Sequence, residues 1–387
     1  MRFAGLCVLL SFLELGGCAT PDKGVRVRVA FDENRIISAR ASGLADRRSG
    51  RAVTADDQVR VASVSKLVVA LGVMRLVEAQ QLELDRDVSD YLGWQLRHPA
   101  YPDDRITLRL LLSHRASLID NVDYALPLGG HLQDTLHDPQ AWETKRPGTW
   151  FRYANLNFPV VASVMERATG ERFDQLMARL VFRPLQLDAC FNWTTCSDVA
   201  IAHAVVLYGD DGSVRRDDLQ GRRPACPVLV TSGPCDLSTY RPGDNGALFS
   251  PQGGLRISAR GLARIGQMFL RGGEGFLLQS SLLTVLDPAF TYDGKNGETE
   301  NGFFCTYGLA LQSLPNRTKG CRDNLFNDKA LRSGHAGEAY GLRSGLWMAP
   351  LQGRGVAFFA TAIPDSATGK GRHSAFTRVE EELAKGD

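Results

Sequence analysis

Residues 63–78 read Ser63-Val64-Ser65-Lys66-Leu67-Val68-Val69-Ala70-Leu71-Gly72-Val73-Met74-Arg75-Leu76-Val77-Glu78. Leu67, Val68, Ala70, Leu71, Met74, Leu76 and Val77 recur at helical spacing, with no proline and a single glycine. This pattern predicts a helix that is apolar nearly all round and therefore mostly buried. Lys66 and Arg75 are its exceptions. Ser63 and Lys66 stand at i and i+3, on one face, so the amine comes within hydrogen-bonding reach of the hydroxyl. An unaided serine hydroxyl is a poor nucleophile, and an adjacent base and a helix N-terminus both activate it. The plainer reading is that Ser63 or Ser65 caps the helix and Lys66 snorkels out to water. Against it, no other lysine in the chain has a serine three residues before it.

Working outward, Val25 to Ala30 alternates apolar with basic residues, Asp32-Glu33-Asn34 makes a turn, and Ile36 to Ala41 resumes, as a strand hairpin does. Residues 43–58 read as a connection. Beyond the helix, Thr107 to Ser113 is a short helix with Thr107 as N-cap. Val160 to Arg167 and Glu171 to Val181 are helical, parted by Thr169-Gly170 and stopped by Pro184. Residues 205–250, rich in Gly, Asp and Arg, look like a surface excursion with a small ribbon. Ser258 to Leu270 is helical and Tyr307 to Leu311 strand-like. Leu342 to Met348 and Gly355 to Ile363 are apolar runs of the kind buried strands carry, and Ser374 to Lys385 closes with a helix. Strands at both chain ends around a helical middle indicate an α+β fold, with one sheet assembled from the two ends.

Composition sets bounds on this. The 387 residues are 44% apolar and 23% charged, with 39 glycines and 17 prolines, which excludes disordered, collagen-like and miniprotein classes. With 45 basic against 43 acidic residues the net charge is +2, so nothing points to a nucleic-acid partner or an anionic membrane surface. Past residue 20 no run approaches the roughly 18 apolar residues of a membrane span.

The first residues differ. Arg2, an apolar run from Phe3 to Leu13 and then Leu15-Gly16-Gly17-Cys18 form a secretion signal over residues 1–17. Its end resembles the bacterial lipobox, which implies cleavage before Cys18, a lipid on Cys18 and a tether over residues 18–25. The membrane would then be a partner only through that anchor. With Ala19 following, lipoprotein usage places the protein in the cell envelope, facing the periplasm from the outer membrane. An ordinary signal with an incidental cysteine is the alternative.

Setting Cys7 and Cys18 aside leaves six cysteines in an oxidising compartment. Close spacing alone motivates the pairs Cys190–Cys196, Cys226–Cys235 and Cys305–Cys321, out of fifteen possible connectivities. No Cys or His stands at metal-ligand spacing, so neither a zinc site nor any other cofactor is expected.

Two further motifs stand out. Tyr153-Ala154-Asn155 follows the Pro147-Gly148 break; a phenol near a lysine amine is drawn toward phenolate, and an Asn amide can orient a carbonyl. His335-Ala336-Gly337 sets a histidine beside a glycine that allows close backbone approach. In this order, Ser63-x-x-Lys66, Tyr153-x-Asn155 and His335-x-Gly337 resemble the motifs of the class C-like serine beta-lactamase and penicillin-binding-protein family, which has esterase and peptidase branches. Flanking text agrees, notably Ile106 to His114, Pro147-Gly148-Thr149 and Gly253 to Ser258. The resemblance runs over residues 26–380. It implies an antiparallel sheet flanked by helices, a mostly helical lobe over about residues 78–190, and a site between them.

The resemblance also implies roles. Ser63 is the acylated nucleophile, Lys66 and Tyr153 handle its proton, Asn155 meets a substrate amide, and His335 and Gly337 form the opposite wall. The backbone N–H groups of Ser63 and Glu338 make the oxyanion hole. The family's usual third motif is Lys-Thr-Gly, which engages a substrate carboxylate. A neutral His335 and a bare Ala336 weaken that grip, unless Glu338 makes His335 cationic or Arg343 substitutes for the missing lysine. The substrate expected is thus an ester, amide or cell-wall-derived peptide, with weak beta-lactam hydrolysis. The competing reading is a catalytically silent, penicillin-binding-like module that only binds peptide or peptidoglycan. Mass spectrometry of the mature protein from its native host should find a diacylglyceryl-modified Cys18 at its N-terminus; an unmodified Cys18 in a processed chain refutes the anchor.

Overall fold

Alternating valine and arginine in the sequence becomes alternating inside and outside in the first strand of the computed structural model, which describes residues 24–209 and 211–386. The leader, Cys7 and Cys18 lie outside the described residues. Strand β1 (Arg26–Asp32) turns back into β2 (Ile36–Ser42), as the hairpin pattern requires. The other sheet strands are β3 (Phe290–Thr291), β4 (Thr306–Tyr307), β5 (Gln312–Leu314), β6 (Arg332–Ala339), β7 (Leu342–Ala349) and β8 (Arg354–Ala360). Their order is β3-β4-β5-β6-β7-β8-β1-β2, antiparallel throughout. The two chain ends meet where β1 pairs β8, from Arg26 opposite Ala360 to Asp32 opposite Arg354. The observed fold is α+β, with helices on both sides of this sheet.

Four helices cover the sheet or carry the site: α1 (Val64–Glu78), α2 (Asn157–Thr169), α3 (Ala259–Leu270) and α4 (Arg378–Lys385). Every residue of β7 is buried, because helices cover both faces. Leu346, Met348, Ala357 and Phe359 join the core on the α3 side with Val27, Val29 and Phe31. Trp347, Val356 and Phe358 point the other way and pack with Phe376 and Ala384 at α4. Gly266 on α3 is required by this packing, since a Cβ there would sit 2.2 Å from the Phe31 ring. Gly72 plays the same part on α1, where a Cβ would meet the Met177 sulfur at 2.7 Å.

Local signals hold through the helical middle. The Thr107 side chain accepts the Leu110 N–H and caps Leu108–Leu112. Gly170, in the left-handed region, ends α2. The next helical stretch is shorter than its pattern predicts, Phe173–Met177 followed by a wider π turn over Ala178–Phe182. Tyr307 to Leu311 is not one strand. β4 stops at Tyr307, the Gly308 N–H bonds the Leu311 carbonyl, Ala310 takes φ +56°, and β5 starts only at Gln312. Likewise β8 ends at Ala360, before Ala362 turns the chain at φ +55°.

The three neighbouring disulfides form as spacing suggested, Cys190–Cys196, Cys226–Cys235 and Cys305–Cys321. The excursion over 205–250 does carry a ribbon, Leu207–Tyr208 with Val214–Arg216. Its far end is not on the surface, however: Asp217 is enclosed between Arg256, at 2.7 Å, and Arg60, at 3.7 Å. A pair of arginines left inside without that carboxylate would repel each other in a poorly solvated space.

Candidate active site

Ser63 stands at the N-terminus of α1 on a sharp turn, because Ala62 before it takes φ +46°. A non-glycine residue in this region costs about 1–2 kcal/mol, so the surroundings must hold it. They do so from two sides. The Val61 N–H bonds the Leu255 carbonyl, and the Leu255 N–H returns to Ser65 Oγ. From the sheet, Ser344 Oγ donates to the Val61 carbonyl at 2.8 Å. Gly337 lets β6 come this close, since a Cβ there would lie 2.3 Å from the Val61 oxygen and 3.2 Å from Ser63 N. The glycine of the third motif thus admits the nucleophile's own turn.

Lys66 does not snorkel. It is fully buried, and its Nζ donates to Ser63 Oγ at 3.0 Å, to Asn155 Oδ1 at 2.8 Å and to the Gln252 carbonyl at 2.8 Å. Burial pulls its pKa down to about 7, while Asp120 and Glu300 pull the other way. The Gln252 carbonyl is held from behind, as Arg60 bonds the Gly253 oxygen and Arg256 bonds the Gly254 oxygen. Asp217 from the excursion fixes both arginines.

Tyr153 lies across the lysine, with Nζ 4.8 Å from its ring centroid. Its hydroxyl is enclosed beside Ser63. Burial holds the phenol well above its ordinary pKa, with Ser63 acting in the opposite direction. The expectation of a phenolate drawn out by the lysine is therefore corrected: the amine faces the ring, desolvation wins, and Tyr153 stays protonated. His114 supports this loop, packing its ring 4.3 Å from the Tyr153 ring and accepting the Ala154 N–H.

Asn155 is shared. Its Oδ1 serves Lys66, and its side-chain nitrogen donates to Asp120 at 3.0 Å. Asp120 also takes the backbone N–H groups of Asn155 and Leu156, so this carboxylate fixes the whole Tyr153–Asn155 turn.

His335 lines the opposite wall, but both ring nitrogens are occupied. Nδ1 lies against the Ala336 carbonyl and therefore carries the proton, leaving Nε2 to accept from Tyr307 Oη at 2.8 Å. Burial, reinforced by the Lys66 charge, lowers its pKa to about 3. Glu338 does not make it cationic, because successive side chains of β6 point to opposite faces. The Glu338 carboxylate instead pairs with the buried Arg343 at 2.6 Å, and Arg343 also bonds Thr368. Arg343 is thus already neutralised and does not replace the missing lysine.

Ser63, Tyr153, Asn155, His335, Gly337 and Glu338 share the lining of one cleft of ≈ 740 Å³. Lys66 sits behind Ser63. The six paired cysteines lie elsewhere. Among the described residues no cluster of His, Cys, Asp or Glu could hold a metal. Asp120, Gln252, Tyr307 and Asp217 escape sequence reading. Asp120, Gln252 and Asp217 belong to no periodic pattern or motif, Tyr307 reads only as the start of a strand-like run, and each acts through a partner more than twenty residues away.

Comparison with known proteins agrees with this geometry. A family model described as Beta-lactamase matches residues 24–375. Esterase EstB of Burkholderia gladioli is 31% identical over 183 residues, 42% of this chain and 46% of the esterase. A D-aminopeptidase of Brucella abortus is 26% identical over 171 residues, covering 42% of this chain and 32% of that enzyme. The matched region thus spans under half the length of either relative. A class C beta lactamase structure from Rhodobacter sphaeroides superimposes with TM-score 0.67 at 19% identity, covering 94% of both chains. Gly337→Ala should push β6 from the Ser63 turn and destabilise the protein by about 1–3 kcal/mol. Urea unfolding that shows no loss would contradict the packing described.

Proposed function

Because the chain belongs to the Beta-lactamase family, we propose that it is a serine hydrolase working through an acyl-Ser63 intermediate on esters, amides or cell-wall-derived peptides. The observation that carries this reading is the set of partners around Lys66 Nζ. Two of the three, Asn155 Oδ1 and the Gln252 carbonyl, only accept hydrogen bonds. Once the amine is neutral its two N–H bonds go to them, and the lone pair is left facing Ser63 Oγ. With a pKa near 7 the neutral form is well populated at neutral pH.

In the proposed reaction Lys66 takes the Ser63 proton as Oγ attacks the substrate carbonyl. The oxyanion that forms meets the N–H of Ser63 and that of Glu338. The Ala336 N–H points from the edge of β6 toward Gln312 Oε1, and the Glu338 N–H, two residues on, points from the same edge beyond the end of β5. Tyr153, still protonated, gives its proton to the leaving group, and the Lys66 ammonium then gives the proton it took from Ser63 to the phenolate, which leaves the lysine neutral again. Water then attacks the acyl-enzyme by the reverse proton path. Asn155 has one side-chain N–H left for a substrate carbonyl.

A purely binding module has no use for a desolvated lysine beside a serine. Such burial costs on the order of several kcal/mol and gains nothing for peptide recognition. Carboxylate-bearing beta-lactams are poor substrates in this reading, since neither His335 nor Arg343 offers a free donor. The envelope location and the anchor at Cys18 are proposed on the leader alone.

A fluorophosphonate should label Ser63, seen as one modified peptide, and Ser63→Ala should abolish both label and turnover. A Ser63→Ala protein that keeps its rate overturns the mechanism. The acylation rate should rise with pH to a plateau above about 7, falling roughly a hundredfold by pH 5 as Lys66 becomes protonated. A flat profile between pH 5 and 8 would contradict Lys66 as base.

A further inference from the structure

Three successive carbonyls behind the nucleophile each accept a hydrogen bond from a side-chain cation. The Gln252 oxygen takes Lys66 Nζ at 2.8 Å, the Gly253 oxygen takes Arg60 Nη1 at 3.0 Å, and the Gly254 oxygen takes Arg256 Nη1 at 2.7 Å. Only the first of these cations takes part in the proposed reaction. The two arginines stand directly opposite each other on the antiparallel pair Val59–Arg60 and Leu255–Ile257. Like charges in that position repel, and here both side chains are buried. Arg60 Nε, Arg60 Nη2 and Arg256 Nε have no hydrogen-bond partner among the described residues. Apolar side chains would close such a ribbon at no greater cost, so packing alone does not account for the arginines.

Among the described residues Asp217 is the one carboxylate paired with either of them. Its Oδ1 accepts from Arg256 Nη2 at 2.7 Å and from Trp193 Nε1 at 3.1 Å, while Oδ2 faces Arg60 Nε at 3.7 Å. The loop closed by Cys190–Cys196 carries Trp193 and also Asn192, whose Oδ1 accepts from Arg256 Nη1 at 2.8 Å. Arg60 is faced in addition by the Tyr340 ring and by Arg216. Segments far apart in the chain thus converge on two guanidinium groups whose free ends grip the backbone next to Gln252.

We propose that Asp217 is a positioning residue of the hydrolase site: it holds Arg60 and Arg256, and through them the Gln252–Gly254 carbonyl row on which the Lys66 amine is oriented. This rests on the acyl-Ser63 reading and adds a residue to its machinery. Without the carboxylate the opposed arginines repel, and the row they hold shifts. The Gln252 carbonyl then no longer takes one N–H of the neutral amine, so the lone pair is not kept on Ser63 Oγ. Loss of that acceptor also disfavours the ammonium form, and the uncompensated arginine charge acts in the same direction. The other groups facing Lys66 are Asp120, Glu300, Tyr153, His114 and His335, and none of them touches Asp217.

The test is the rate at which a fluorophosphonate labels Ser63 between pH 5 and 9. In Asp217→Asn the inflection of that profile should move to lower pH by at least about 0.5 unit. Its plateau should fall about tenfold or more, as for a misplaced catalytic group. Asp217→Asn combined with Arg60→Met leaves the net charge of the cluster as in wild type and removes the donor to Gly253. Its inflection and plateau should still fall, and this variant decides the matter if the single substitution does not fold. A single variant of wild-type circular dichroism with an unmoved inflection overturns the proposal, even if its plateau drops, because a merely structural role gives that result. A double variant that labels like wild type also overturns it, since Asp217 would then act by charge alone. In either case a wild-type profile that rises to its plateau leaves the hydrolase reading standing. A wild-type protein whose Ser63 is not labelled, or is labelled at a rate independent of pH, overturns both.

Discussion

A lysine amine taken out of water and given three oxygen partners is the constraint to which the rest of the site answers. Desolvating an ammonium costs several kcal/mol, and only well-placed acceptors make it tolerable. Here the acceptors come from three distant parts of the chain: Ser63 on the same helix, Asn155 before α2, and the Gln252 carbonyl before α3. Each is itself held. Asp120 holds the Asn155 turn by three hydrogen bonds, and Arg60 and Arg256 hold the segment after Gln252. Loss of any of these supports leaves a buried charge less well solvated, so their effects should be strongly coupled rather than additive.

The sheet supplies the other half. β6 lies against the Val61–Ser63 turn because Gly337 has no side chain and Ser344 on β7 reaches the Val61 carbonyl. This contact joins the two parts of the chain. Strands from the far C-terminal third grip a turn that precedes the first long helix, and β1 zips to β8 to close the same sheet. Such pairing has high sequence separation, so the site forms only when the tertiary structure is complete.

Charge then divides the cleft into functions. Next to Ser63, burial holds Lys66 near neutrality, keeps Tyr153 protonated and leaves His335 uncharged. Farther out, acids outnumber cations and Arg343 is already neutralised. The inner groups are suited to move one proton between Ser63, Lys66 and Tyr153. Replacing the family's usual Lys-Thr-Gly by His335-Ala336-Gly337 removes a cation and a hydroxyl from the wall and leaves the close approach at Gly337 intact.

Local patterns in the sequence determined much of this protein. The Val27–Phe31 alternation gives the first strand, and the all-apolar run after Lys66 gives a buried helix. Thr107, Gly170 and Ser258 mark helix ends through their own caps. Close cysteine spacing gives the disulfides, and the ordered Ser63, Tyr153 and His335 motifs give the family. These signals are legible because each depends on neighbours within a few residues, or on a motif set read whole. What failed depended on long-range placement. Tyr307 to Leu311 has strand-like composition, yet Gly308 must pass the Val285 carbonyl, which a Cβ would approach to 2.5 Å, and the chain turns there. Tyr153 looked like a phenolate because sequence shows the lysine but not the desolvation. His335 looked like a free donor because sequence does not show Tyr307 beside it. Asp217 looked like surface charge until Arg60 and Arg256 enclosed it. Residue type and short spacing fix which groups are present; which of them are buried, paired or free is settled only when segments far apart in the chain pack against one another and exclude water.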